Sequence, residues 1–276
     1  MLRLALLGLC LSACTRGVEA PRAQGPAPRV VAIGPGTEAN LFAIGLGELL
    51  VGVSDFCPEP AAAALPRVGG QADPNLERIA ALAPTVLLVQ GGHPRVEGWC
   101  RGAGVEFRGF ATDSLAGWRA EIRWLGERFA RSAESERCIA EVDGALARLR
   151  GAGAPRRTLL VVARRADQAA GVMAAGAGTF LSELLEAAGG VNVMPPGGVA
   201  YPSLNEESLI RLDPEAVIEF RPGAADDGGA LAIWRRDFPA LSASRDGRVG
   251  AVLHAQALMP GPRMHEVAQA MQALIQ

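Results

Sequence analysis

Two stretches decide the fold. One is Asn75-Leu76-Glu77-Arg78-Ile79-Ala80-Ala81-Leu82-Ala83-Pro84, followed by the apolar run Thr85 to Val89. The other is Glu207-Ser208-Leu209-Ile210-Arg211-Leu212-Asp213-Pro214, followed by Glu215 to Phe220. In each, a glutamate stands seven residues before a proline, the proline stops a short helix, and a strand comes next. The segments upstream repeat as well. Arg29 to Ile33 and Thr158 to Ala163 read as strands. They lead through Gly34-Pro35-Gly36 and Gly176-Ala177-Gly178 to helices beginning at Thr37 and Thr179. The first helix carries Leu41, Ile44 and Leu49 and closes on Gly45 and Gly47; Leu50 to Val53 is a further short strand. The second carries Leu181, Leu184 and Leu185 and ends on Gly189-Gly190. Apolar strands alternating with helices indicate parallel sheets covered on both faces. The expected fold class is therefore α/β: two similar lobes with mainly parallel sheets, a duplication that carries more weight than any single motif.

Between the halves the pattern turns helical. Leu115, Trp118, Ile122, Leu125 and Phe129 recur at spacings of three and four. A second helix starts at Ser132, with Glu134 and Glu136 in its first turn and Arg148 and Arg150 in its last, as the helix dipole prefers. Its stripe is Cys138, Val142, Ala145 and Leu149. At about 1.5 Å per residue it makes a rod of about 30 Å. One long helix as the sole chain connection implies a stiff hinge that closes by small angles.

The 276 residues carry 27 basic and 29 acidic side chains, a net charge of −2, which argues against nucleic acid as partner because phosphate binding needs clustered cations. Every basic residue is arginine, so P-loop, Schiff-base and PLP lysine chemistry is excluded. No Gly-x-Ser-x-Gly elbow or His-Glu-x-x-His helix occurs either, and no enzymatic activity is expected.

The start of the chain reads as an address. Arg3 is followed by an apolar run from Leu4 to Leu11, too short to span a bilayer, which takes about 20 residues, but suited to a secretory signal. It ends Leu11-Ser12-Ala13-Cys14, which resembles a bacterial lipobox, with Cys14 the residue that is lipidated; the alternative is an ordinary cleaved signal with an incidental cysteine. The expected organisation is a leader over 1–13, a tether over 14–28, a lobe over 29–130, a linking helix over 131–152 and a lobe over 153–276. Cys57 and Cys100 can form a disulfide, or with Cys138 be small buried apolar residues.

Two α/β lobes, one linking helix and a lipobox resemble the substrate-binding lipoproteins of ABC importers for iron–siderophore, haem and vitamin B12, the periplasmic-binding class with a helical backbone. The words that match are Arg29-Val30-Val31-Ala32-Ile33, Gly45-Leu46-Gly47-Glu48-Leu49-Leu50-Val51-Gly52-Val53, Leu65-Pro66-Arg67-Val68-Gly69-Gly70, Asn75-Leu76-Glu77-Arg78-Ile79 and Pro260-Gly261-Pro262-Arg263. They run from about Arg29 to the C-terminus. The resemblance implies that Glu77 and Glu207 dock on arginines of a membrane permease, one carboxylate per lobe; bidentate Arg forks suit such a two-point plug. The plain alternative is a helix-start carboxylate favoured by the dipole, with Glu206 beside Glu207.

A ligand belongs in the crevice at the carboxyl ends of the strands. The candidates are Phe56, which matches an aromatic of the vitamin B12-binding relatives, and Tyr201, six residues before Glu207, where they carry another. Gln71 holds the corresponding place before Glu77, where an aromatic would have strengthened a corrinoid reading. Gln90 and His93 follow one strand, His254 and Gln256 another. Iron or cobalt ligation by His93 or His254 ranks behind hydrogen bonding in a loop. Arg67, Arg164, Arg165 and Arg221 are candidate partners for an anionic cargo, with solvated surface as their default. The chain is expected to hold no cofactor of its own, to act as a monomer anchored through Cys14 in the periplasm or at the cell surface, and to carry a metal chelate: a corrinoid first, a ferric siderophore second, haem third. A non-transport surface lipoprotein, or an enzyme on the same fold, is the alternative.

Overall fold

The computed structural model describes residues 27–149 and 155–276. The leader, Cys14 and most of the tether lie outside them. In the first lobe, β1 (Val30–Ile33), β2 (Leu50–Gly52), β3 (Val86–Gln90) and β4 (Glu106–Phe110) form a wholly parallel sheet in the order β2-β1-β3-β4. Its central strands are apolar up to Gln90, the last residue of β3, because both faces are covered. Val30, Ala32, Val86 and Leu88 pack with Leu41 of α1 (Pro35–Ala43) and Trp118 and Ile122 of α4 (Leu115–Arg128). Val31, Ile33, Leu87 and Val89 face the other way, onto Ile79 of α2 (Leu76–Ala81) and Val96 and Cys100 of α3 (Pro94–Ala103).

The second lobe departs from the parallel pattern at one edge. β5 (Arg156–Ala163), β9 (Ala216–Phe220) and β10 (Val249–Val252) run parallel, with β7 (Gly190–Asn192) beside the start of β5. β6 (Val172–Ala174) and β8 (Ser203–Leu204) are antiparallel additions. The loop from β5 to β6 is too short to carry the crossover helix that a parallel strand needs, so the chain turns straight back. Leu159, Val161 and Val217 pack on Leu209 of α7 (Glu206–Leu212), Trp234 of α8 (Ala230–Asp237) and Ala243 of α9 (Ser242–Asp246). Leu160, Ile218 and Val252 face α6 (Phe180–Ala187) and α10 (Met264–Ile275).

The linking helix is α5 (Ser132–Leu149). It packs against α4 on one side and α6 and α10 on the other. Its residues Cys138, Ile139, Val142, Leu146 and Leu149 belong to a single apolar cluster that continues under both sheets. The lobes therefore share a core as well as a chain connection. Among the described residues no helix is long and apolar enough to cross a membrane.

Several boundaries differ from the sequence expectation by a residue or two. α1 starts at Pro35 instead of Thr37 because proline suits the first helical turn, and Gly34 before it takes φ 125°. β5 begins two residues early, at Arg156. Cys57, Cys100 and Cys138 are free thiols, and Cys57 and Cys100 pack in different apolar clusters, so the disulfide considered for that pair is not formed.

The repeated corners share more than the quoted letters. Asn75 and Asn205 each cap their helix, accepting from the Arg78 and Ser208 amides at 3.0 and 2.9 Å. Each helix ends in a left-handed residue, Ala83 at φ 44° and Asp213 at φ 36°, before a buried proline. Arg29 donates to the Leu82 carbonyl at 2.7 Å, and Arg157 to the Leu212 carbonyl at 2.6 Å. These guanidinium groups satisfy helix C-terminal carbonyls and complement the dipole there. Glu77 and Glu207 project from the two corners into solvent, Glu207 with Arg211 at 3.4 Å.

Candidate functional site

An open cleft of about 600 Å³ lies between the lobes. The first lobe supplies Gln71, Gln90, Phe110 and the turn Thr112–Ser114; the second supplies Phe180, Tyr201 and Pro260. Gln90 stands at the end of β3, and its Oε1 accepts from the Gly36 amide at 3.0 Å, closing the start of α1. Gln71 donates from Nε2 to the Gln90 carbonyl at 2.6 Å, so the two amides form one wall. Phe110 ends β4 and is held edge-on by Trp124 at 5.4 Å.

The two walls touch at their rims. The Tyr201 hydroxyl donates to Asp113 Oδ1 at 2.6 Å, the Phe180 amide donates to the Asp113 carbonyl at 3.0 Å, and the Leu115 amide donates to Glu183 Oε2 at 2.5 Å. Three bonds from the second lobe thus converge on residues 113–115 of the first. Partial burial of the Asp113 carboxyl raises its pKa. Burial, then the Asp113 bond, pushes the Tyr201 phenol upward.

A second rim contact comes from the Pro260-to-Arg263 word. Arg263 donates to Glu59 Oε1 at 2.9 Å across the lobes and to Gln256 Oε1 at 3.1 Å within its own. The Pro260 carbonyl lies so close to α1 that a Cβ on Gly36 would stand 2.6 Å from it, so only glycine fits there.

Of the residues singled out from the sequence, Tyr201, Gln71 and Gln90 meet in the cleft. Phe56 stands beside that wall: it is 73% exposed, and its ring lies 3.7 Å from where a Gly70 Cβ would be. His93, His254 and Gln256 do not line the cavity. His93 Nδ1 caps α3, accepting from the Val96 amide at 3.4 Å. His254 lies between the Gln256 amide at 3.2 Å and Glu266 Oε2 at 2.9 Å. Gln256 is buried under Arg263. Arg67 donates to the Ser54 carbonyl, and Arg164 is buried against Glu219, with Nε–Oε1 at 2.5 Å. Asp113 and Phe180 were missed. The signals available were a polar turn Thr-Asp-Ser just after a strand and the aromatic that follows the capping Thr179.

Comparisons with known proteins bear on the family and the fold. Residues 30–222 match the family model for periplasmic binding proteins. A vitamin B12-binding protein of Vibrio campbellii is 26% identical over 226 residues, covering 81% of each chain. A periplasmic haem-binding protein of Pseudomonas aeruginosa superposes with TM-score 0.73 at 26% identity, over 90% of this chain and 92% of that one. The periplasmic vitamin B12-binding protein of Vibrio cholerae superposes with TM-score 0.75 at 24% identity, over 91% and 97%, and speaks for the fold alone.

Proposed function

Because the chain belongs to the periplasmic binding protein family, we propose that it is the substrate-binding component of an ABC importer, capturing a metal chelate and delivering it to a membrane permease. The observation that carries this reading is a cleft of about 600 Å³ lined from both lobes by aromatic and amide side chains and by the turn Thr112–Ser114. A corrinoid is the cargo proposed first, in line with the vitamin B12-binding relative. A ferric siderophore comes second and haem third. Tyr201, Phe56, Gln71 and Gln90 are the proposed contacts. His93, His254 and Gln256 are assigned to holding the frame around the cleft.

Docking is assigned to Glu77 and Glu207. The same cap, left-handed residue and arginine clamp at both corners support this role, since they fix two exposed carboxylates on equivalent helices. Exposed ion pairs contribute little singly, so orientation and on-rate are the expected gain. Anchoring through Cys14, a monomeric state, and lobes over 29–130 and 153–276 joined by the helical region 131–152 complete the proposal.

Two measurements test it. Tryptophan fluorescence of the purified chain is followed on titration with cobalamin, a ferric chelate and haem. A response to the ferric chelate but none to cobalamin at high micromolar concentration rejects the corrinoid. Separately, charge reversal of Glu77 and Glu207 together is expected to abolish uptake and leave affinity in solution intact; unchanged uptake removes the docking role.

A further inference from the structure

We infer that the cleft takes a chelate whose metal already has its full set of ligands, and that Tyr201 meets it with its ring face while Asp113, from the opposite lobe, positions that ring. This deepens the proposed function and rests on its metal-chelate reading. The chain has one tyrosine and three histidines. The Tyr201 hydroxyl is already given to Asp113 at 2.6 Å. A phenol bonds a ferric or cobaltic centre as its phenolate, so this oxygen would first have to break its bond across the lobes. Asp113 is itself fixed by the Phe180 amide on its carbonyl, so the pair cannot swing apart without parting the lobes.

The other donors are equally engaged or stand elsewhere. His254 Nδ1 accepts a backbone amide, which puts the ring proton on Nε2, facing Glu266. His93 caps a helix outside the cleft lining. His265 lies by α5, near Glu134 and Cys138. Cys57 stands outside the cleft lining, packed against the apolar cluster that continues under both sheets. Among the described residues no group of three or more His, Cys, Asp or Glu gathers to hold a metal ion. The cleft is left with a phenol ring, Phe180, Phe110, two glutamine amides and the turn Thr112–Ser114, where Asp113 Oδ1 already accepts from Tyr201 and Ser114 Oγ from the Gly117 amide; this lining suits the flat faces and polar edges of a finished complex.

The test pairs complete and open chelates. The full chain is titrated with cyanocobalamin and a ferric tris-hydroxamate, whose metal sites are filled, and with aquocobalamin and ferric haem, which have an exchangeable position. Visible absorption is followed throughout. The expected result is that at least one complete chelate binds, and that any open chelate that binds keeps its free-solution spectrum. Tyr201→Phe and Asp113→Ala are each expected to weaken binding about fivefold, and the double variant no further, since both break one hydrogen bond. Tyr201→Ala should lose about tenfold or more, the ring being gone. A spectral shift of haem or aquocobalamin that Tyr201→Phe, Asp113→Asn or His254→Ala abolishes overturns the inference alone. Additive losses at Tyr201 and Asp113 overturn the positioning role. If none of the four chelates binds, the metal-chelate reading falls and the inference with it.

Discussion

Among the described residues the first lobe buries two carboxylates, Glu38 and Glu121, and the second buries Glu219; Glu121 and Glu219 are accommodated in opposite ways. Glu219, on β9, has both oxygens bonded: Arg164 approaches at 2.5 and 3.0 Å and the Trp234 indole at 2.6 Å. Glu121, on α4, is 1% exposed and faces only Thr37 and Asn40, and its Oε1 has no partner. Burial holds the Glu121 pKa up to about 7. Glu219 is paired with a cation, and Glu121 is pushed by burial toward its neutral form. Duplicated outlines therefore do not imply duplicated interiors: the strands and corners repeat, while the polar groups beneath them were settled locally.

The largest expected effect breaks the paired side of this comparison. Arg164→Leu leaves a buried charge without its cation and should cost about 3–5 kcal/mol. Urea unfolding at neutral pH checks it, and a loss below about 1 kcal/mol would show that Trp234 and water suffice.

Next comes the proton-keeping side. The folded pKa of Glu121 lies above its ordinary value of 4.5, so the folded state binds the extra proton. Its contribution is full below pH 4.5 and is lost as pH rises through about 7. By pH 8 the loss amounts to about 3 kcal/mol. Glu121→Gln should remove that slope and be the more stable protein at pH 8. Parallel stability curves for the two proteins between pH 5 and 8 would refute the assignment.

The smallest effects sharpen the comparison of the corners, where one substitution is expected to change sign. Asp213 accepts the Ser242 amide and hydroxyl at 2.8 and 2.9 Å, tying its corner to α9 and lowering its pKa. Asp213→Gly relieves a left-handed backbone but loses both bonds, a net cost of about 1–2 kcal/mol. Ala83 gains nothing from its side chain at φ 44°, so Ala83→Gly should stabilise by about 0.5–1 kcal/mol. Denaturation midpoints of the two variants moving in the same direction would count against this account.

Much of the scaffold was legible because it is written in local patterns. The apolar runs at β1, β3 and β9 are buried on both faces, and the Glu-to-Pro spacing marks helices that end where the prolines stand. Tyr201, Gln71 and Gln90 were reachable because they follow strand ends or precede the repeated corners. His93, His254 and Gln256 satisfied the same positional rule yet point into hydrogen bonds with their own neighbours, which one-dimensional spacing does not encode. Asp113 bonds Tyr201, a partner 88 residues away, and no periodicity carries such a contact. The antiparallel edge of the second sheet was hidden for a related reason: β6 and β8 are two or three residues long, too short to show alternation.

The apolar cluster that runs through α5 into both halves also bears on how this molecule comes apart. A cut at the junction would strip a wall of oily side chains from each piece. Neither half is then a module that a gene could donate intact to another protein. Heat should melt the pair together, in one step, as a single cooperative body.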